Sequence, residues 1–219
     1  AKWADVTGTT TLTYHSNNTY NNEYVKTTVN NEKVKVESFD SLFGDSDPNS
    51  YFTGWKTSDG RDIAVGSFVL VDIGNTQGTN DLYAQWCAKT TVTITGDSAN
   101  YNYTGAQQSV STFAKTGLSS DYNLSGVTYS ANGTDAGEYE GKFGGKAVIT
   151  KNGQDVTYQF KIVYENGKLT ITKRNITLTS ATASKPYDGT ALTNHDVVVS
   201  GDGFVTGEGA TYDVTGTQT

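Results

Sequence analysis

His15 and His195 are the only imidazoles in this 219-residue chain, so proton transfer near neutral pH would have to be built on one of them. A serine hydrolase needs such a base within hydrogen-bond reach of its nucleophile and an orienting acid behind it. No Gly-x-Ser-x-Gly elbow presents a nucleophile, His15 ends a strand-like run, and His195 lies in an Asn-His-Asp turn. Both are read as surface or strand-end residues. Cys87 is the single cysteine. No histidine or helix start lies near it in sequence to favour the thiolate. A lone cysteine also excludes an intramolecular disulfide framework and a cysteine-rich zinc site.

The stretch "GDSDPNS" offers Asp45, Asp47 and Asn49 at alternating positions, like the opening of a calcium loop. Ser50 occupies the sixth position, where the turn needs Gly, and Lys56 the twelfth, where the metal needs a bidentate Glu. The stretch is read as a solvated helix-to-strand turn, and no metal or cofactor is expected. Trp55 and Trp86 have the rings to stack on sugars but are read as core anchors. Tyr20, Tyr24, Tyr101 and Tyr122 sit in polar runs and are the candidates for ligand contact. A Lys–Asn isopeptide crosslink would need Lys, Asn and a carboxylate buried together, a proximity that spacing alone does not establish.

Composition narrows the classes further. Hydrophobic residues make up only 35% of the chain while aromatics reach 11%, so apolar area comes from rings more than from aliphatics. That suits small, thin-cored β modules better than one large α/β enzyme. Thr and Tyr favour strands, and Gly and Asn favour tight turns. A net charge of −7 argues against nucleic acid or an anionic membrane as the main partner. No apolar run is long enough to span a bilayer, no signal peptide is recognisable, and membrane insertion is not expected.

The elements that must position these residues follow from period. Residues 9–15 alternate, with Leu12 and Tyr14 on one face, and read as a strand. Val25–Val29 and Lys33–Val36 are further short strands. Phe39, Leu42 and Phe43 fall at i, i+3, i+4 on a short helix that Ser38 can cap and Gly44 can stop. "YFTGW", Phe68–Val71 and "DLYAQW" follow, the last with Leu82, Ala84 and Trp86 on one face. One short helix crossing a small sheet is the economy of a β-grasp module. Leu12, Phe39, Phe43, Trp55, Leu82 and Trp86 are assigned to its core. From Thr91 the pattern is all-β. Asn152-Gly153 and Asn166-Gly167 signal type I′ hairpins, which predicts a three-stranded meander over roughly 146–172.

Two internal similarities divide the chain. Ala1-Lys2-Trp3-Ala4 resembles Ala84-Gln85-Trp86-Cys87, and "TVTITGDSANYNYTG" at 91–105 resembles "NITLTSATASKPYDG" at 175–189. Tyr103 and Gly105 align with Tyr187 and Gly189 at an offset of 84. The expected organisation is 1–8, tail of a preceding repeat and linker; 9–88, a first module; 89–173, a second; and 174–219, the first part of a copy of the second. Arrays of this kind are nearly one-dimensional, each module touching mainly its neighbours.

Residues 9–88, with Phe52-Thr53-Gly54-Trp55 and the closing Leu82-Tyr83-Ala84-Gln85-Trp86, resemble the Listeria–Bacteroides repeat, the internalin B-repeat. That resemblance implies a β-grasp, ubiquitin-like fold. Residues 89–173 and 174–219 resemble the YDG and MBG repeats of bacterial adhesins through Tyr187-Asp188-Gly189, "TDAGEY" at 134–139 and "GKLTITK" at 167–173. The second module carries Tyr103-Thr104-Gly105 instead of the strict triplet.

Together these resemblances imply tandem, mainly β modules. The first would be a β-grasp with one short helix, the rest all-β or β-grasp-like adhesin repeats. They imply a non-enzymatic, extracellular repeat segment of a cell-wall-anchored bacterial surface adhesin, acting as stalk or spacer with weak adhesion of its own. The alternative is a module that binds a host glycan or host surface protein through exposed tyrosines. Expected partners are neighbouring repeats of the same chain and such host molecules, with no nucleic acid, and the chain is expected to be a monomer.

Overall fold

The computed structural model describes residues 8–44, 47–75 and 78–218. Ala1–Ala4, the opening tetrapeptide, and Asp45 lie outside the described residues. The fold is mainly β, 52% strand and 4% helical, in several small sheets. The chain forms two compact units. One contains residues 1–92, 117–123 and 148–162, the other 93–116, 124–147 and 163–219.

In the first unit, β1 (Thr9–His15) pairs antiparallel with β2 (Glu23–Val29) and parallel with β7 (Asp81–Ala88). β7 in turn pairs antiparallel with β4 (Ser50–Thr57), and β4 with β5 (Asp62–Ile63). The sheet order is therefore β2-β1-β7-β4-β5. β3 (Glu32–Lys35) and β6 (Phe68–Val71) make a separate two-stranded sheet. The helix α1 (Phe39–Phe43) lies between β3 and β4 in sequence. Its start is set by Ser38, whose hydroxyl accepts the Ser41 N–H, and its end by Gly44 at φ +78°.

The core of this unit is aromatic. Trp55, Tyr14, Phe39, Leu12 and Leu82 are fully buried in one cluster with Val34, Val36, Val69, Val71 and Ala84. Phe43 and Trp86 pack against it, half-buried. Trp55 meets Tyr14 edge-on at 5.0 Å and Phe52 at 5.1 Å, the geometry that ring quadrupoles favour. Its indole N–H donates to the Glu37 carbonyl at 2.8 Å, and that of Trp86 to the Ser16 carbonyl at 2.9 Å. Neither indole, the buried Trp55 or the half-buried Trp86, is left with an unpaired donor.

The remaining strands are β8 (Thr90–Gly96), β9 (Ala99–Asn102), β10 (Gln108–Val110), β11 (Phe113–Thr116), β12 (Asn123–Gly133), β13 (Gly137–Glu140), β14 (Lys142–Lys151), β15 (Gln154–Asp155), β16 (Phe160–Glu165), β17 (Lys168–Thr172), β18 (Ile176–Ser180) and β19 (Val197–Gly201). They form sheets ordered β10-β12-β14-β15, β11-β8-β16, β13-β17-β9 and β18-β19. The expected meander over 146–172 is not what forms. β14 turns into β15 at Asn152-Gly153, both with positive φ as a type I′ turn requires. β16 and β17, however, join different sheets. Gly167 has no positive φ. It is glycine because a side chain there would overlap the Gly96 and Asp97 carbonyl oxygens. Asn166-Gly167 therefore marks a close backbone approach, which a dipeptide signal does not distinguish from a hairpin.

Candidate functional site

The residues that could do chemistry are engaged in structure. His15 stacks on Tyr83, its partner across β1–β7, at 4.3 Å. Its Nδ1 lies 3.0 Å from Glu23 and its Nε2 3.0 Å from Asp81. Sequence reading missed this grip, because Asp81 is brought in only by the parallel pairing of β1 with β7. It ties three strands together and presents no nucleophile. The His195 ring bonds the Val214 carbonyl at 2.8 Å. Asp47 accepts the Asn49 N–H at 2.8 Å, and the Asn49 side-chain oxygen accepts from the Lys161 ammonium at 2.9 Å. Among the described residues no group of three His, Cys, Asp or Glu could hold a metal ion, and no lysine is buried as an isopeptide would require.

The four tyrosine candidates separate. Tyr20, 77% exposed, stands in the loop between β1 and β2. Tyr24 is exposed with its ring edge-on to Tyr14 at 6.3 Å, and Tyr101 is exposed on β9. Tyr122 is half-buried, edge-on to Phe160 at 5.1 Å and under the Lys151 ammonium at 4.8 Å. Its ring is committed to packing.

Two places where consecutive stretches of the chain meet are more elaborately built. The first lies at Lys89, the single residue between β7 and β8. The Lys89 N–H donates to the Asn49 carbonyl at 2.8 Å, while the Asn49 side chain holds Lys161. The Tyr51 ring meets Tyr158 edge-on at 5.6 Å. Tyr51 also faces Cys87 across β4–β7. The hydrogen bond with the Cys87 thiol, helped by burial and nearby charge, pushes the Tyr51 hydroxyl up to about 12. Cys87 is otherwise exposed and free. Lys89 is thus held by its backbone to Asn49, which also accepts from Lys161, while the ring pair and the thiol gather on the neighbouring Tyr51.

The second place is Lys173-Arg174-Asn175, between β17 and β18. Arg174 donates to the Gly203 carbonyl at 2.8 Å, to the Tyr103 carbonyl at 3.4 Å and to the Asp202 carbonyl. The Asn175 N–H donates to the Asp202 carboxylate at 2.7 Å. The Tyr103 hydroxyl donates to the Glu208 carboxylate, which raises the Tyr103 pKa. One guanidinium fork thus bonds both the preceding stretch, at Tyr103, and the following one, at Asp202 and Gly203. A cavity of about 340 Å³, lined by Tyr103, Asp135, Arg174, Phe204, Val205 and Glu208 among others, lies beside the fork.

The Tyr-Asp-Gly triplet is itself a knot. Asp188 accepts from the Lys185 ammonium at 2.9 Å, the Thr190 N–H at 2.9 Å and the Thr190 hydroxyl at 2.7 Å. These donors, Lys185 foremost, hold the Asp188 carboxyl down at about 2. Tyr187 projects from the knot, 88% exposed.

Comparison with protein-family models, with curated proteins and with solved structures finds no match to this chain.

Proposed function

We propose that this chain is a non-enzymatic spacer segment of a bacterial surface adhesin, extracellular and anchored to the cell wall, built of small β modules in series. The observation that carries the reading is the joint at Lys89. A single linker residue, its N–H bonded to Asn49, with Lys161 on Asn49 and Tyr158 on Tyr51 beside it, favours a fixed orientation over a flexible linker. The Arg174 fork supports it in the same way. The parallel β1–β7 pair in a mixed sheet with one short helix supports a β-grasp reading of residues 9–88. Residues 89–173 and 174–219 read as a YDG/MBG-like module and the first part of another. The acidic, Thr- and Asn-rich surface suits a soluble stalk.

A second reading has its own observation. Tyr20, exposed at a loop tip, fits a platform for a host glycan or host surface protein. Glycan arrays and pull-downs with the full chain separate the two. A spacer gives at most weak binding, which Tyr20→Ala leaves unchanged. Saturable binding lost in Tyr20→Ala would replace the spacer reading with the binding module.

A further inference from the structure

In chain order β1 and β7 are the first and last strands of the sheet β2-β1-β7-β4-β5, and they lie side by side in the same direction. β1 buries Leu12 and Tyr14, β7 buries Leu82 and Ala84, and all four join one core. Thr13, Tyr14 and His15 pair with Asp81, Leu82 and Tyr83. No tight turn can join parallel strands, so β2 to β6 and α1 all lie within the crossover between them. The chain therefore enters this pair at Thr9 and leaves it at Ala88, at opposite ends.

That direction decides how tension is borne. A pull on both sides of the pair draws Thr9 backward and Ala88 forward, so β1 slides against β7. Their hydrogen bonds then lie across the load and must yield together, whereas a pull at right angles opens a ladder one bond at a time. The overlap is also bonded beyond its paired residues. The Thr13 N–H donates to the Asn80 carbonyl at 2.7 Å. The His15 Nε2 lies 3.0 Å from Asp81 while its ring stacks on Tyr83 at 4.3 Å. The Asn17 side-chain amide donates to the Ala84 carbonyl at 3.0 Å, and the Trp86 indole to the Ser16 carbonyl at 2.9 Å. All these links join residues 13–17 to residues 80–86, where the two strands would slide.

The second unit repeats the arrangement with a different sequence. β17, the last strand before Lys173, pairs parallel with the early strand β9. The Tyr103 N–H donates to the Thr172 carbonyl at 2.9 Å, the Thr172 hydroxyl to the Asn102 side-chain oxygen at 2.7 Å, and the Lys168 N–H to the Ser98 hydroxyl at 3.0 Å.

We propose that the β1–β7 pair is a force-bearing clamp that keeps residues 9–88 folded when the chain is pulled along its length. A spacer that holds a load away from a surface is pulled in this direction, and the inference rests on the spacer reading for that use. Asn17 and His15 are its latches. Forced unfolding is set by the barrier to unfolding, so the clamp acts on lifetime under load.

Single-molecule force spectroscopy on the full chain, in a Cys87→Ser background, tests this with two pairs of cysteine handles. Thr9→Cys with Ala88→Cys loads β1 against β7 in shear. Thr27→Cys with Asp62→Cys, on the edge strands β2 and β5, pulls across the same sheet. All four positions are exposed. At one loading rate the first rupture force should be at least twofold higher along the strands than across them. Asn17→Gly keeps a residue suited to the positive φ of +47° and removes the bond to Ala84. It should lower the force along the strands and leave the force across them unchanged. Equal forces in the two directions, or an Asn17→Gly effect of the same size in both, would overturn the clamp. The comparison of directions stands even if Asn17→Gly fails to fold. Saturable glycan binding lost in Tyr20→Ala would remove the spacer reading and move neither force, so the two failures are told apart.

Discussion

Replacing Trp55 with alanine probes the first unit most severely. The indole is 1% exposed and touches Tyr14, Phe39 and Phe52. Truncating a buried ring of this size costs about 3–5 kcal/mol, through lost transfer free energy and the cavity left behind. The Glu37 carbonyl also loses its indole donor, which adds about 1 kcal/mol. Single domains are stable by only about 5–15 kcal/mol, so the variant should stand near its unfolding transition at 25 °C. Guanidinium titration followed by tryptophan fluorescence and by circular dichroism measures the change. Trp55→Phe removes the donor and part of the ring but keeps an aromatic side chain in the core, so it should cost less than Trp55→Ala. A Trp55→Ala loss below about 1.5 kcal/mol at unchanged denaturant slope would refute the assignment of Trp55 as the centre of this core.

Gly117→Ala should destabilise by about 1–3 kcal/mol, since it combines positive φ with overlap on the Thr91 carbonyl. Gly153→Ala, at similar φ with nothing within 4 Å, should cost less, and equal losses in thermal melts would contradict the close approach. The Asp188 carboxyl should titrate near 2 by carbon-detected NMR. Because its pKa is lowered by folding, its contribution to stability is complete above the unfolded value of about 3.9 and is lost as pH falls through about 2. Lys185→Ala should move the midpoint up, and a native midpoint near 4 would dissolve the knot. Arg174→Ala should speed proteolytic cleavage within 174–219 and leave digestion of 9–88 unchanged; equal rates in the native chain and the variant would show that the fork holds nothing.

How much of this was legible in the sequence depended on how local the signal was. The helix at 39–43 was legible because cap, apolar triplet and stop lie within seven residues. Leu12, Trp55 and Leu82 could be placed together with Phe39 because strand alternation marks one face of each strand and the i, i+3, i+4 spacing one side of the helix. Asn152-Gly153 gave its turn, since I′ geometry is settled by two residues. Asn166-Gly167 did not, because the reason for Gly167 is a carbonyl seventy residues earlier in the chain. His15 between Glu23 and Asp81, and Lys161 on Asn49, are set by pairing between distant segments that no local pattern encodes. Tyr122 looked like Tyr20 in its polar run; only the fold distinguishes a ring packed under Lys151 from one in solvent.

The central claim is that the joint at Lys89 holds a fixed orientation. Spin labels at Lys33→Cys and Gln154→Cys, with Cys87→Ser to keep a polar partner for Tyr51, read it directly by double electron–electron resonance. Both sites are exposed and lie in the same compact unit. A braced joint predicts one narrow distance distribution that broadens when Asn49 and Tyr51 are both replaced by alanine. A distribution already broad in the parent, and unchanged by those replacements, would contradict the spacer account.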